Sequence, residues 1–386
     1  MYLILDIARG IAALSVFLYH IKATLENSMP VLAKIAQFGS LGVPLFFVIS
    51  GYVITASAEA VIRRKRSSNS FLKRRFLRIY PPFWVSILVV VTIPYIIAAV
   101  SSFKSGIYLL PHPRYIELTS ADWTQLATLT KIFMAENTDL EGQFNQVNSV
   151  YWTLAIEFQF YLCVYVALVF RKYFHLIMIL ITIISLLLIV FPQQLNNGLF
   201  IHFWPMFAMG FFLYYVIESG LTLEKLFVCN SRFIAPTVVV LLMGLIVFLA
   251  YLGELKQVLD SIFPSSSLGF ALISSCLLWF AAPLETVLEG AKNGRNLIFG
   301  YLIKMGAFLG VISYSLYLLH GKIVELPAML ARQIIPIDSA LYPILMIGGT
   351  IALCSVFYIF IEKRFMSAKQ KIIYHAAFTS ASSKHL

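Results

Sequence analysis

Apolar runs close to twenty residues long recur along this chain, at roughly 3–22, 40–60, 82–101, 150–170, 174–192, 199–217, 234–252, 267–283, 303–321 and 342–361. A helix of that length crosses the ~30 Å hydrocarbon core of a bilayer. The chain is therefore expected to fold as an all-α, polytopic membrane bundle of about ten transmembrane helices. Composition agrees: the 386 residues are 60% hydrophobic and only 12% charged, against about 25% charged in soluble domains.

Charge then sets orientation. Arg63, Arg64, Lys65, Arg66, Lys73, Arg74, Arg75 and Arg78 lie between the second and third runs, and a loop so rich in Lys and Arg stays cytoplasmic. With ten alternating spans both termini are cytoplasmic too. Arg171-Lys172, Lys225-Arg232, Lys292-Arg295-Lys304 and Lys363-Arg364-Lys369-Lys371 then fall on the same side. These loops account for the net charge of +11, so membrane lipids rather than nucleic acid are the expected partners. The expected location is a membrane that the chain crosses many times. Residues 1–373 form the membrane domain. Within it, 102–149 lies outside, where Glu117, Asp122, Glu136, Asp139 and Glu141 outnumber Lys104, Arg114 and Lys131. That segment is too short for an independent domain and is read as a lid or an acceptor-binding loop. The Ser- and Ala-rich tail 374–386 is expected to be disordered. No internal repeat is evident. The N-terminal run has no basic leader and carries charge, so it reads as a span rather than a signal peptide. Cys163, Cys229, Cys276 and Cys354 are far apart and suggest neither disulfide nor metal site.

Ionisable residues inside such spans cost about 3 kcal/mol or more and must face protein or a wet cavity. Asp6, Arg9 and His20 share one side of the first helix. Arg9 and His20 are within roughly 20° of one face and about 16 Å apart along the axis. His20 reads as a general base, since imidazole exchanges a proton near neutral pH, or as an interfacial histidine. Asp6 and Arg9 either pair or stabilise charge nearby. The run Gly42-Val43-Pro44-Leu45-Phe46-Phe47-Val48-Ile49-Ser50-Gly51-Tyr52 carries a helix-breaking proline and a glycine that permits close packing. In Phe71–Pro82, Arg75 and Arg78 share a helical face, suited to a polyphosphate ligand or to anionic headgroups. Glu157, with Tyr161 one turn on, is an intramembrane carboxylate that marks a site or pairs with a buried cation such as Arg9. Ser313, Tyr317 and His320 share a stripe that could wall a sugar acceptor or form an aromatic belt.

With these motifs the chain resembles the acyltransferase 3 family of integral-membrane acyltransferases, which act on O-antigen, exopolysaccharide and other surface glycans. The resemblance rests on Asp6-x-x-Arg9-x-x-Ala12 with His20, Phe46-Phe47-Val48-Ile49-Ser50-Gly51-Tyr52, and Arg75-x-x-Arg78-Ile79 with Pro81. It rests further on Trp152-Thr153-Leu154 leading to Glu157 and Tyr161, and on Ser313-Tyr314-x-x-Tyr317-Leu318-x-His320. The resemblance implies an O-acetyltransferase using cytoplasmic acyl-CoA (acetyl-CoA) as donor substrate, with no permanently bound cofactor, and a glycan or lipid-linked saccharide as acceptor. It implies that His20 is the catalytic histidine, that Arg75 and Arg78 contact the CoA phosphates, and that Arg9 and Glu157 shape the buried site. The chain departs from the family at Glu362-Lys363-Arg364, where Glu-Lys-Pro is frequent. A multi-span transporter or flippase is the competing expectation, and a structural partner of a glycan synthase a third.

Overall fold

The computed structural model describes residues 2–108, 110–134, 139–191, 195–220, 231–292 and 297–366, and among them there are helices and turns but no strand. The principal helices are α1 (Tyr2–His20), α2 (Gly42–Arg63), α3 (Ser68–Ser105), α4 (Trp152–Val169), α5 (Phe174–Val190) and α6 (Trp204–Glu218). They continue with α7 (Ser231–Leu252), α8 (Leu255–Ile262), α9 (Ser266–Ala281), α10 (Leu297–Val311), α11 (Ser313–Ile323) and α12 (Leu341–Phe360). The predicted tail 374–386 lies outside the described residues.

Among the described residues, seven helical segments are long and apolar enough to cross a membrane, or nine if each of two bent pairs is one span. The expected count of about ten differs for a local reason. The run 199–217 forms a turn and a helix of only 15 residues, Trp204–Glu218, about 22 Å long at 1.5 Å per residue. The run 303–321 is broken, bending 72° between Ile298–Val311 and Ser313–Ile323. α7 and α8 bend by 112° at Gly253, which takes the left-handed backbone (φ +81°) that glycine tolerates.

The membrane-facing surface is inverted relative to a soluble protein. On α5, Leu176, Ile179, Leu180, Ile183, Leu186 and Leu187 are exposed while Thr182 and Ser185 are buried. Trp204 Nε1 donates to Thr182 Oγ1 (2.9 Å) and Ser185 Oγ to the Ile201 carbonyl (2.6 Å). Polar groups thus turn inward, where partners exist, and aliphatic ones meet the acyl chains.

Two glycine contacts set the interhelical distances. A Cβ on Gly210 would sit 2.0 Å from the Val48 carbonyl oxygen, and one on Gly51 2.1 Å from that of Phe207. α2 and α6 therefore touch backbone to backbone, as the small residue in the Phe46–Tyr52 motif suggests. α1 and α10 do the same, since a Cβ on Gly310 would sit 2.0 Å from the Asp6 carbonyl.

α3 is 38 residues long, about 57 Å, so it crosses the apolar layer and continues well past it. The basic motif is thus its first part rather than a loop, capped by Ser67, whose side chain accepts from the Asn69 amide. Near that end Ser68 Oγ donates to the Leu168 carbonyl (2.9 Å), Arg63 reaches Tyr214 (3.1 Å) and Arg171 bonds the Arg66 carbonyl. The start of α1 lies beside the short helix Glu285–Lys292, where the half-charge of the helix N-terminus meets a carboxylate. Glu285 accepts from the amides of Leu3 (2.7 Å) and Ile4 (3.1 Å).

The described residues of 102–149 pack down on the bundle. Tyr115, Leu126, Leu129, Ile132, Phe144 and Val147 are buried in the same apolar core as the helices. The helix Ser120–Ala127 starts with a capping box between Thr119 and Asp122. Bonds from Lys131 (2.5 Å) and Thr119 hold the Asp122 carboxyl down at about 2.

Candidate active site

Five helices bring the sequence motifs together around one buried cavity of about 110 Å³. α1 contributes Arg9, α2 Phe46, Phe47 and Ser50, α3 Arg75 and Arg78, α4 Thr153, Glu157 and Tyr161, and α11 Ser313, Tyr314 and Tyr317. The break at Ile312 makes this possible: it turns α11 off the axis of α10, and Ser313 Oγ satisfies the Gly310 carbonyl (2.8 Å) left over at the bend.

Each charge in the chamber has a partner set. Asp6 and Arg9 pair at 3.3 Å, one of the two arrangements their spacing allows. Glu157 accepts from Ser50 Oγ (2.8 Å) and from the Tyr161 hydroxyl (2.7 Å). Two hydroxyls, rather than Arg9, thus form its hydrogen bonds. Arg78 pairs with Glu362 at 2.6 Å. Glu362 is fully buried and also accepts from Ser315 Oγ (2.5 Å) and the Ser315 amide (3.1 Å). That carboxylate therefore joins α3, the first turn of α11 and the end of α12, and it stands where helix N-terminal amides favour an anion.

The two arginines consequently differ, although their spacing makes them look equivalent. Arg75 lies over the rings of Phe71 (5.5 Å) and Tyr161 (5.4 Å) and donates to the Val53 carbonyl at 3.5 Å. Among the described residues no carboxylate forms an ion pair with it, so its fork retains donors for an anionic or developing-anionic group.

The two histidines stand beyond the cavity. His320 on α11 is fully buried, which removes the aromatic-belt reading of this stripe. Its ring is 5.9 Å from Tyr317, 5.8 Å from Phe17 and 5.2 Å from His20. Nδ1 donates to the Leu316 carbonyl (3.0 Å), which assigns the proton to that nitrogen and leaves Nε2 a buried lone pair with no hydrogen-bond partner among the described residues. His20 ends α1 and is exposed, with its ring against His320 and 5.5 Å from Tyr19. Tyr317, which lines the cavity, bonds Thr153 Oγ1 (2.6 Å). Ring contacts thus lead from Tyr317, which shares the cavity wall with Arg75 and Glu157, through His320 to His20. Tyr161 and Tyr317 direct their hydroxyls at protein partners, and so does Ser313. Ser50, Thr153 and Tyr314 lay within the quoted motifs without being singled out, and Glu362 lay at the departure from the family pattern.

Fold and site define a polytopic helical membrane protein with a charge-lined chamber and, beyond it, two histidines in ring contact. The chain belongs to the acyltransferase 3 family, whose acyltransferase domain matches residues 2–359. Among curated relatives it is similar to the acyltransferase MdmB of Streptomyces mycarofaciens, 33% identical over 161 residues (40% of this chain, 36% of that protein). It is also similar to the O-acetyl transferase of Shigella phage Sf6, 30% identical over 216 residues (54% and 59%). The O-acetyltransferase OatA of Staphylococcus aureus is 32% identical over 165 residues (41% and 23%). The chain thus spans less than two thirds of the length of each of these relatives, and no solved structure matches it.

Proposed function

We propose that this protein is a membrane O-acyltransferase that moves an acyl group, acetyl foremost, from cytoplasmic acyl-CoA to a hydroxyl of a cell-surface glycan or its lipid-linked precursor. The observation that carries the reading is the convergence of Arg9, Arg75, Arg78, Glu157 and Tyr161 on one cavity within an acyltransferase family fold. The inner membrane is the assigned location, with the basic end and both termini cytoplasmic. CoA approaches from the basic end, its phosphates drawn by Arg75 and Arg78. The pantetheine arm carries the thioester toward the histidines, and Tyr161, Ser313, Tyr317 and His320 shape the space it and the acceptor share.

Transfer is direct. His20 removes the proton from the sugar hydroxyl as that oxygen bonds the acyl carbon. A buried donor holds the carbonyl oxygen as charge develops. The C–S bond then breaks, the thiolate leaves as CoA, and the imidazolium returns its proton to sulfur. The test is acyl transfer by purified protein together with mass spectrometry of surface glycans with and without the gene. The reading predicts that O-acyl groups vanish with the gene and that His20→Ala abolishes transfer. The bent pairs α7/α8 and α10/α11 favour a second reading, movement of a lipid-linked glycan. Glycan that is absent from the surface, rather than present and unacylated, would select it.

A further inference from the structure

A second and larger concavity lies at the His20 end. It measures about 990 Å³ and is bordered by Tyr19, Lys22, Gln37, Glu141 and Trp152, and by the segment Gly253–Ser267. That size is at the top of the roughly 300–1,000 Å³ range of small-molecule sites. Val43 and Phe47 line both this cleft and the buried cavity, so the two adjoin across the start of α2.

The far wall is made by α8. The bend at Gly253, where the backbone passes within reach of Gln37, lays this eight-residue helix across the bundle end. Leu255 and Leu259 are buried against Leu41 and Ala250, while Lys256, Gln257, Asp260 and Ser261 line the cleft. Its polar side thus borders a concavity and its apolar side the bundle. Asp260 is itself fixed by accepting from the Ser266 amide (2.5 Å). The opposite wall is aromatic: Trp152 lies 5.4 Å from Phe203, which lies 5.8 Å from Phe47.

Lys22 and Lys256 balance Glu141 and Asp260, so the cleft has no net sign. Two amides, serine hydroxyls and apolar ring faces complete it. This set suits a ligand with many hydroxyls, apolar C–H faces and no charge. Resting on the acyl-transfer reading above, we infer that the cleft between α8, the start of α2 and Trp152 is the acceptor site, and that it binds an uncharged stretch of oligosaccharide several rings long. Its hydroxyl then points past Val43 and Phe47 toward the acyl group. The acceptor-recognising segment is α8 and its flanks, with Glu141 the one contribution among the described residues of 102–149.

The test uses the full chain in bacterial membranes. Gln257→Cys is labelled with a bulky, membrane-impermeant maleimide; His112→Cys, on the exposed surface of 102–149, is the labelling control, beside labelled wild type. Transfer from radiolabelled acetyl-CoA to the strain's own neutral oligosaccharide is compared with acetyl-CoA binding. Labelling position 257 is expected to lower transfer at least about tenfold while shifting acetyl-CoA affinity less than about twofold. The labelled His112→Cys protein keeps its transfer rate. Unchanged transfer after labelling 257 overturns the assignment. A rise of more than about tenfold in the KM for the oligosaccharide between ~50 and ~500 mM salt, measured at saturating acetyl-CoA, overturns the uncharged ligand. Absent acetyl-CoA binding in wild type overturns the acyl-transfer reading instead.

Discussion

Replacing Glu362 by Ala removes the ion-pair partner of Arg78 at 2.6 Å and the acceptor of both the Ser315 hydroxyl at 2.5 Å and the Ser315 amide at 3.1 Å. Breaking a buried ion pair from one side costs about 3–5 kcal/mol, because the surviving charge stays buried without compensation. Glu362 is fully buried, but Arg78 retains 19% of its side-chain exposure toward the cavity. The lower end, about 3 kcal/mol, is therefore the expected loss. Glu362→Gln keeps an acceptor for Ser315 and should fall between wild type and Ala. Arg78→Met combined with Glu362→Ala should recover most of the loss, since no charge is then stranded. Thermal unfolding in detergent, with all four proteins compared as a double-mutant cycle, gives the coupling directly. If Glu362→Ala loses less than about 0.5 kcal/mol, or the double variant is as unstable as the single, the pair does not hold α3 to α11 as described.

Three further outcomes follow from the same geometry. Arg75→Ala with Arg78→Ala should weaken acyl-CoA binding more than His20→Ala does, because phosphate pairing and proton transfer are separate tasks; equal affinity in titration calorimetry would reject the assigned roles. His320→Phe should leave the melting temperature unchanged or raised, since a buried Nε2 with no partner carries a penalty of about 1–3 kcal/mol. Transfer should nevertheless fall at least about tenfold if His320 steadies the His20 ring, and unchanged turnover would confine His320 to packing. Gly210→Val should force α2 and α6 apart, since even a Cβ would lie 2.0 Å from the Val48 carbonyl; a loss of several kcal/mol or failure to accumulate is expected, and a fully stable, active variant would contradict the contact.

Most of the spans and the inward placing of Asp6 and Arg9 on α1 were legible because lipid enforces a simple rule: long apolar runs become helices, and charges within them turn to protein. Gly51 and Pro44 likewise declared their packing and helix-start roles. The breaks were not legible. Hydropathy runs on smoothly through Ile312, and the turn after the bend there is bonded to Glu362, some fifty residues away in the chain. The unequal fates of Arg75 and Arg78 escaped for the same reason, since helical periodicity places both on one face and says nothing about which meets a carboxylate. α8 looked like a connection because its apolar positions, Leu255, Val258, Leu259 and Ile262, cover only about two turns, too short a pattern to stand out. Residues 102–149 looked loosely held because their buried side chains are scattered among turns rather than spaced periodically.

The central claim is that an acyl group passes through the bundle from the basic end to the histidine end. The most direct measurement encloses acetyl-CoA on the basic side of oriented proteoliposomes and supplies acceptor oligosaccharide only on the His20 side. The account predicts acetylated oligosaccharide on the His20 side with wild-type protein and none with His20→Ala. Product that forms only when donor and acceptor share one compartment would contradict it.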